Sequence, residues 1–181
     1  MPRLNHWAFD WLETIVVALL LALVIRAFFL QVFWIPSESM VPSLDIGDRI
    51  VVNKVIYHFR QPRRFEVVVF RQTPEVGPGK KDLIKRLVGL PGEKLQIKNG
   101  VIFINDQPVA EKHPKNEDFA NFGPVNIPQE HCFVMGDNRA ASFDSRYWKD
   151  SSGTLKFLPM KNLIGQAICL IWPLNKIGLI L

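Results

Sequence analysis

Apolar residues run almost without a break over 14–34, "TIVVALLLALVIRAFFLQVFW", with Arg26 and Gln31 as the strong polar interruptions. A helix rises ~1.5 Å per residue, so this run reaches about 30 Å, the thickness of a bilayer's hydrocarbon core. Beyond Trp34 the pattern changes. Short runs rich in β-branched and aromatic residues alternate with Gly and Pro, and no long stretch keeps a helical period. The pattern predicts a short N-terminal segment (1–13), one transmembrane helix (14–34) and a mainly β, antiparallel domain over 35–181. Strands are expected at 49–56, 65–71, 83–90, 94–98, 101–105, 132–135 and 164–172. "LQIKNGVIFIND" reads as a hairpin, with Asn99-Gly100 supplying the positive φ angles of a tight type I′ turn. The polar, proline-rich stretch over 108–128 reads as an irregular excursion between two parts of the sheet.

A removable signal peptide is the rival reading of the apolar run. It requires small residues at its exit, whereas Ala27 is followed by Phe-Phe-Leu-Gln-Val-Phe-Trp, so an uncleaved anchor is expected. Arg26, toward one end of the run, is expected to carry its charge along its stem to the headgroups. The apolar C-terminus "IWPLNKIGLIL" is too short to span, which leaves it resting on a membrane or packed on the domain.

Composition narrows the picture further. With 181 residues, 48% of them hydrophobic, the chain has room for one domain with a core plus one extra element. The net charge of +5 is spread along the chain, densest at Arg60, Arg63 and Arg64 and at Lys80, Lys81, Lys85 and Arg86. These groups read mostly as solvated basic faces. No helix-turn-helix, zinc finger or aromatic RNA-binding motif accompanies them, so no nucleic-acid partner is expected. Cys132 and Cys169 lack metal-clip spacing; one disulfide in an oxidising compartment is the alternative to two buried thiols, which their place in apolar runs favours, and no metal and no cofactor are expected.

Three stretches carry the chemistry: "IPSESMVPSL" from Ile35, "LIKRLVGLPGEK" from Leu83 and "MGDNRAASFDSRYW" from Met135. Taken singly they read as a turn, an edge strand with surface charge, and another turn. Together, in this order after an apolar segment, they resemble the type I signal peptidases (leader peptidases), membrane-bound serine proteases that use lysine in place of histidine. The resemblance runs from about Phe33 to the last strand and rests on Ser-x-Ser-Met-x-Pro-Ser-Leu, Lys-Arg-x-Val-Gly-Leu-Pro-Gly and Gly-Asp-Asn-Arg-x-x-Ser-x-Asp-Ser-Arg.

The resemblance implies Ser39 as nucleophile, Lys85 as general base and Ser142 as a hydrogen-bond partner of the lysine amine. It also implies an oxyanion hole made by the Ser37 hydroxyl and the Ser39 N–H. Ile35 and Ile84 are implied to line shallow substrate pockets that leave room only for small side chains, selecting Ala-x-Ala, with the substrate extended along strand edges. Asp144 and Arg146 are expected to form a supporting ion pair, and Asp137, Asn138 and Arg139 a structured turn. The implied partners are preproteins bearing signal peptides and the lipid bilayer. The implied location is the plasma membrane, or a thylakoid membrane in a photosynthetic cell, with the domain on the extracytoplasmic or lumenal side.

Elementary chemistry sets the requirement on Lys85. An ammonium ion cannot take a proton, so the amine must be neutral near pH 7, well below the ordinary value of about 10.4. Burial among Leu83, Ile84, Leu87 and Val88 is expected to supply this, and an acidic neighbour would oppose it. Glu38 is the test case: in an extended segment Ser37 and Ser39 share a face while Glu38 points to solvent. Met40 is expected to pack against the anchor or the substrate.

Three departures from the family pattern stand out. Arg64-Phe65-Glu66-Val67 replaces Arg-Gly-Asp before a strand, "KDSSGTLKF" after Trp148 is longer than usual, and there is one anchor where some relatives have two. Two rival readings are a Ser-His-Asp enzyme with His131 as base and a catalytically silent membrane adaptor. The self-cleaving repressors share the Ser-Lys chemistry but carry a DNA-binding domain and no anchor.

Overall fold

The computed structural model describes residues 6–74, 76, 81–113, 115–116 and 118–180. Lys80, named above, lies outside them, as does the start of the 1–13 segment. Helix α1 (His6–Val24) passes into one π-helical turn (Ile25–Phe29) and then directly into strand β1 (Leu30–Trp34). The expected helix over 14–34 is therefore shorter at its C-terminal end: Leu30–Trp34 pairs antiparallel with β2 (Arg49–Asn53), Leu30 opposite Asn53 and Trp34 opposite Arg49. Among the described residues no helix is long and apolar enough to cross a membrane. The apolar side chains of α1 from Leu12 to Val24 nonetheless stand about half exposed.

After β2, the Asn53 side chain accepts from the Val55 and Ile56 N–H groups and starts the short helix α2 (Ile56–Phe59), which ends the expected 49–56 strand early. The remaining strands are β3 (Val67–Arg71), β4 (Asp82–Gly89), β5 (Lys94–Lys98), β6 (Val101–Ile104), β7 (Gln107–Pro108), β8 (Phe122–Asn126), β9 (His131–Met135), β10 (Leu158–Pro159), β11 (Leu163–Trp172) and β12 (Gly178–Leu179). They form a large antiparallel sheet in the order β1-β2-β11-β3-β4-β9-β10, with β12 also on β11, and a smaller sheet β7-β6-β5-β8. The Asn99-Gly100 hairpin between β5 and β6 forms with both φ angles positive, 48° and 77°. Within the 108–128 excursion, β8 adds an edge strand to β5.

The core divides along the pleat. Val67 and Val69 point to one side, where they meet Ile35, Met40, Leu44, Ile50, Val52 and Ile84. Val68 and Phe70 point to the other, against Leu87, Val134, Trp148 and Leu158. A third cluster, including Val88, Leu95, Ile102, Phe133 and Met135, joins the two sheets. Strands β3 and β4 are central and covered on both faces, so β3 reads as an apolar run over Val67–Phe70 and β4 as one broken by Lys85-Arg86. That cover also buries Lys85 and Arg86, so these two do not belong to a solvated basic face. Met40 is fully buried in the core with Ile35 and Ile84, contributing about 1.5–3 kcal/mol by burial.

Both cysteines are free; Cys132 is buried, and burial pushes its thiol up to about 12, whereas Cys169 is only half-buried. At the C-terminus β12 pairs with β11 and Ile180 packs on the core, while Leu174, Ile177 and Leu179 stay exposed. In the long loop after Trp148, the Asp150 carboxylate gathers the Ser152 and Thr154 N–H groups and the Ser152 hydroxyl.

Candidate active site

The segment leaving β1 is pinned at both ends. The Ile35 N–H donates to the Asp48 carbonyl (2.9 Å) and the Gly47 N–H to the Ile35 carbonyl (2.9 Å), while buried Ile35, Met40 and Leu44 root the segment in the core. Between these anchors Glu38–Met40 forms a 3-10 turn, closed by Val41 N–H to Glu38 O (3.0 Å). The expectation of an extended segment is corrected here. A 3-10 turn rotates successive side chains by about 120°, so Glu38 still faces solvent while Ser39 is buried, for a different geometrical reason. The hydroxyls of Ser37 and Ser39 lie 3.4 Å apart, with Ser37 on the exposed side.

Strand β4 brings Lys85 to the turn. Its Nζ lies 2.6 Å from Ser39 Oγ and also donates to the Ile84 carbonyl (3.1 Å). Burial lowers the amine from its ordinary value to about 8, against the opposing pull of the Asp144 and Asp137 charges. Two acids are thus close enough to matter, contrary to the expectation of none. Each is engaged by its own arginine: Asp144 by Arg146 (2.9 Å), and Asp137 by Arg86 in a fully buried pair (2.7 Å). Their negative charge is largely answered before it reaches the amine.

Asp144 and Arg146 form the expected ion pair, and the Asp144 carboxylate also accepts from the Gly136 N–H (3.0 Å). Ser142 is buried, but its hydroxyl has no hydrogen-bond partner among the described residues. The expected Lys85–Ser142 hydrogen bond is therefore absent, the amine being directed to Ser39 and to the Ile84 carbonyl. Gly136 separates the two serines: a Cβ there would sit 2.3 Å from both Ser39 O and Ser142 Oγ. Ile35 and Ile84, both buried, line with Phe33, Pro36, Ser37 and Val69 a cleft of about 40 Å³ that also touches Ser39 and Lys85. That is room for one or two methyl-sized groups. His131 does not approach Ser39 Oγ; its ring hydrogen-bonds the Gln129 carbonyl at the start of β9.

Sequence reasoning read the 137–139 turn as scaffold and missed what it holds. The Asn138 N–H donates to Ser39 O (3.1 Å) and its side-chain amide to Glu38 O (3.2 Å), so this residue fixes the 3-10 turn from behind. Asn116 in turn donates to the Asn138 side-chain oxygen (3.2 Å). Beneath the turn, Arg139 and His113 hydrogen-bond buried Glu111. Burial raises the Glu111 carboxyl, but these partners outweigh it and hold the group at about 2. The Arg86 guanidinium also takes the Phe65 carbonyl (2.7 Å), and Phe65 sits at φ +70°. The position where the family pattern has glycine thus keeps a glycine-like backbone, with the Phe65 ring resting on His113. Among the described residues no group of three His, Cys, Asp or Glu side chains is arranged to hold a metal ion.

The family model described as "Signal peptidase, peptidase S26" matches residues 8–172. The chain belongs to this signal peptidase family. It is 37% identical over 181 residues to "Signal peptidase I" of Leptolyngbya laminosa, covering 98% of this chain and 86% of that protein. It is 34% identical over 178 residues to "Signal peptidase I T" of Bacillus subtilis, covering 92% of this chain and 86% of that protein. A further relative, "Probable thylakoidal processing peptidase 2, chloroplastic" of Arabidopsis thaliana, is 37% identical over 148 residues, 80% of this chain and 38% of that protein. A solved signal peptidase I from Enterococcus faecalis is similar at 27% identity, with a TM-score of 0.45, over 59% of this chain and 97% of that one. As a signal peptidase of this type, the chain is a serine protease that removes signal peptides.

Proposed function

We propose that the chain is a membrane-anchored endopeptidase that cuts exported preproteins after an Ala-x-Ala-like motif, with Ser39 and Lys85 as its catalytic dyad. The observation that carries this reading is the buried Lys85 amine, lowered to about 8, at 2.6 Å from the Ser39 hydroxyl. In the first step the neutral amine takes the Ser39 proton as Oγ attacks the scissile carbonyl carbon. The charge that develops on the carbonyl oxygen is met by the Ser37 hydroxyl and the Ser39 N–H, whose place at the start of a helical turn leaves it without a partner in that turn. The Lys85 ammonium then passes the proton to the leaving amine, and an ester on Ser39 remains. Water, deprotonated by the same amine, cleaves that ester and restores the enzyme.

Ser142, with its unpartnered buried hydroxyl, is the group that orients the amine when it moves between these tasks. Asp144 and Arg146 support Ser142 from behind. The small cleft beside Ile35 and Ile84 supports selection of alanine-sized side chains. The helix α1, apolar and outward-facing, supports anchoring, with the domain on the extracytoplasmic or lumenal side of the plasma or thylakoid membrane. Tethering there raises the local concentration of enzyme around precursors held in the same bilayer.

The deciding experiment compares wild type, Ser39→Ala, Lys85→Ala and Lys85→Arg on a precursor bearing Ala-x-Ala. Wild type is expected to cut once and all three variants not at all, since alanine supplies no base and guanidinium does not release its proton. Cleavage by the Ser39→Ala or Lys85→Ala protein overturns the dyad, and no cleavage by wild type favours the silent adaptor.

A further inference from the structure

The peptide unit between Glu38 and Ser39 has two ends. Its N–H is one of the two donors proposed above for the oxyanion, and its carbonyl points the opposite way, because the bond is trans and planar. That carbonyl is fully engaged. Glu38 O accepts from the Val41 N–H at 3.0 Å and from the Asn138 side-chain amide at 3.2 Å, which uses both of its lone pairs. The next peptide unit is held by the same residue, since the Asn138 N–H donates to Ser39 O at 3.1 Å. Two rigid planes meet at the Ser39 Cα, and one asparagine grips both. Asn138 is itself fixed: it is buried, and its amide oxygen accepts from Asn116 Nδ2 (3.2 Å), while the Asn116 N–H is tied to Asp137 O (3.0 Å).

The consequence is geometrical first and electronic second. A planar peptide redirects its N–H only by turning as a whole unit, so a hold on the oxygen is also a hold on the hydrogen. Hydrogen bonds to the carbonyl also polarise the amide and make its N–H a better donor. An oxyanion donor works by standing in place before the charge arrives, so both effects act on the transition state rather than on the bound substrate. Neither effect reaches the base. Asn138 carries no charge, and the Lys85 amine contacts Ser39 Oγ and the Ile84 carbonyl instead of the two carbonyls that Asn138 holds.

We infer that Asn138, with its amide locked by Asn116, is a positioning residue of the oxyanion hole and acts through the Glu38 carbonyl on the Ser39 N–H. The inference rests on the Ser39–Lys85 reading and deepens it. Asn138→Leu keeps the side-chain bulk and the backbone N–H to Ser39 O but withdraws the amide from Glu38 O. It is expected to lower kcat on a precursor bearing Ala-x-Ala by on the order of 100-fold, as small misplacements of a reacting group do, with KM little changed. The pH midpoint near 8 is expected to stay where it is. Asn116→Ala, one step further from the turn, is expected to lower kcat by about 3- to 10-fold in the same pattern, the worth of one neutral hydrogen bond. It keeps the test decisive if Asn138→Leu does not fold.

A second measurement, on the full chain in neutral detergent, separates positioning from mere support. A peptide aldehyde ending in Ala-x-Ala adds its carbonyl carbon to Ser39 Oγ, the hydroxyl proton passing to Lys85, and so leaves an oxygen where the oxyanion forms. The product peptide, ending in a carboxylate, binds with no bond to Ser39. In both variants the aldehyde is expected to bind more weakly by the factor lost from kcat/KM, while the product peptide binds as it does to wild type. Equal weakening of aldehyde and product, a moved pH midpoint, or an unchanged kcat in both variants overturns the role of Asn138. If wild type itself shows no preference for the aldehyde, or if Ser39→Ala still cuts, it is the Ser39–Lys85 reading that fails.

Discussion

In the proposed dyad, Lys85 couples the chemistry to pH through a single proton. Burial lowers its amine to about 8, so near neutrality a minority of molecules carry the free base and the fraction grows as pH rises. kcat/KM is therefore expected to climb with pH through a midpoint near 8, measured on a precursor under conditions where the fold is unchanged. Glu38→Gln is expected to leave that midpoint where it is, since the side chain faces solvent. Ser37→Ala removes one of the two proposed oxyanion donors and is expected to lower kcat by about 100-fold or more, with little change in KM. The Ser39–Lys85 contact was legible because a serine between two prolines, a lysine in an apolar strand and a Gly-Asp-Asn turn occur in one order. Asn138 was not, because it acts on backbone carbonyls of a turn a hundred residues away, and no local pattern announces such a partner.

At the scale of elements, the site is a junction of three pieces: the 3-10 turn after β1, the middle of β4 and the turn after β9. Gly136, at the end of β9, lets the first and third touch. Gly136→Ala places a methyl against Ser39 O and the Ser142 hydroxyl, so activity is expected to fall by orders of magnitude even where circular dichroism shows a folded protein. The Arg86–Asp137 pair joins β4 to the same turn in full burial. Asp137→Ala leaves the buried Arg86 guanidinium without its carboxylate and is expected to cost about 3–5 kcal/mol in urea unfolding, whereas Arg86→Met/Asp137→Leu together are expected to cost less than Asp137→Ala alone. Central strands were legible from their apolar runs, and the β5–β6 hairpin from Asn-Gly. Strand β1 was not: Leu30–Trp34 continues an apolar run, and only its pairing with β2 makes it a strand. Strand β8 was hidden by Gly123 and Pro124, which read as breakers yet are tolerated on an edge.

Across the whole molecule, mainly β architecture after an apolar N-terminal helix was readable from period and composition, whereas the end of that helix was not. The π turn runs into β1 with no linker, and Phe29 is tied to Lys54. Inserting three residues between Phe29 and Leu30 is expected to leave cleavage of a short soluble peptide intact but to shift or blur the cut in a membrane-held precursor, read from the N-terminal mass of the product. The reason lies in that uninterrupted joint. With no linker between shaft and head, and the Lys54 N–H tied to the Phe29 carbonyl, bending at this joint is opposed, which on the proposed reading keeps the Ser39 hydroxyl near one elevation. On the proposed anchored reading, such a molecule would measure as well as cut, its stature becoming the ruler by which each incoming chain is trimmed.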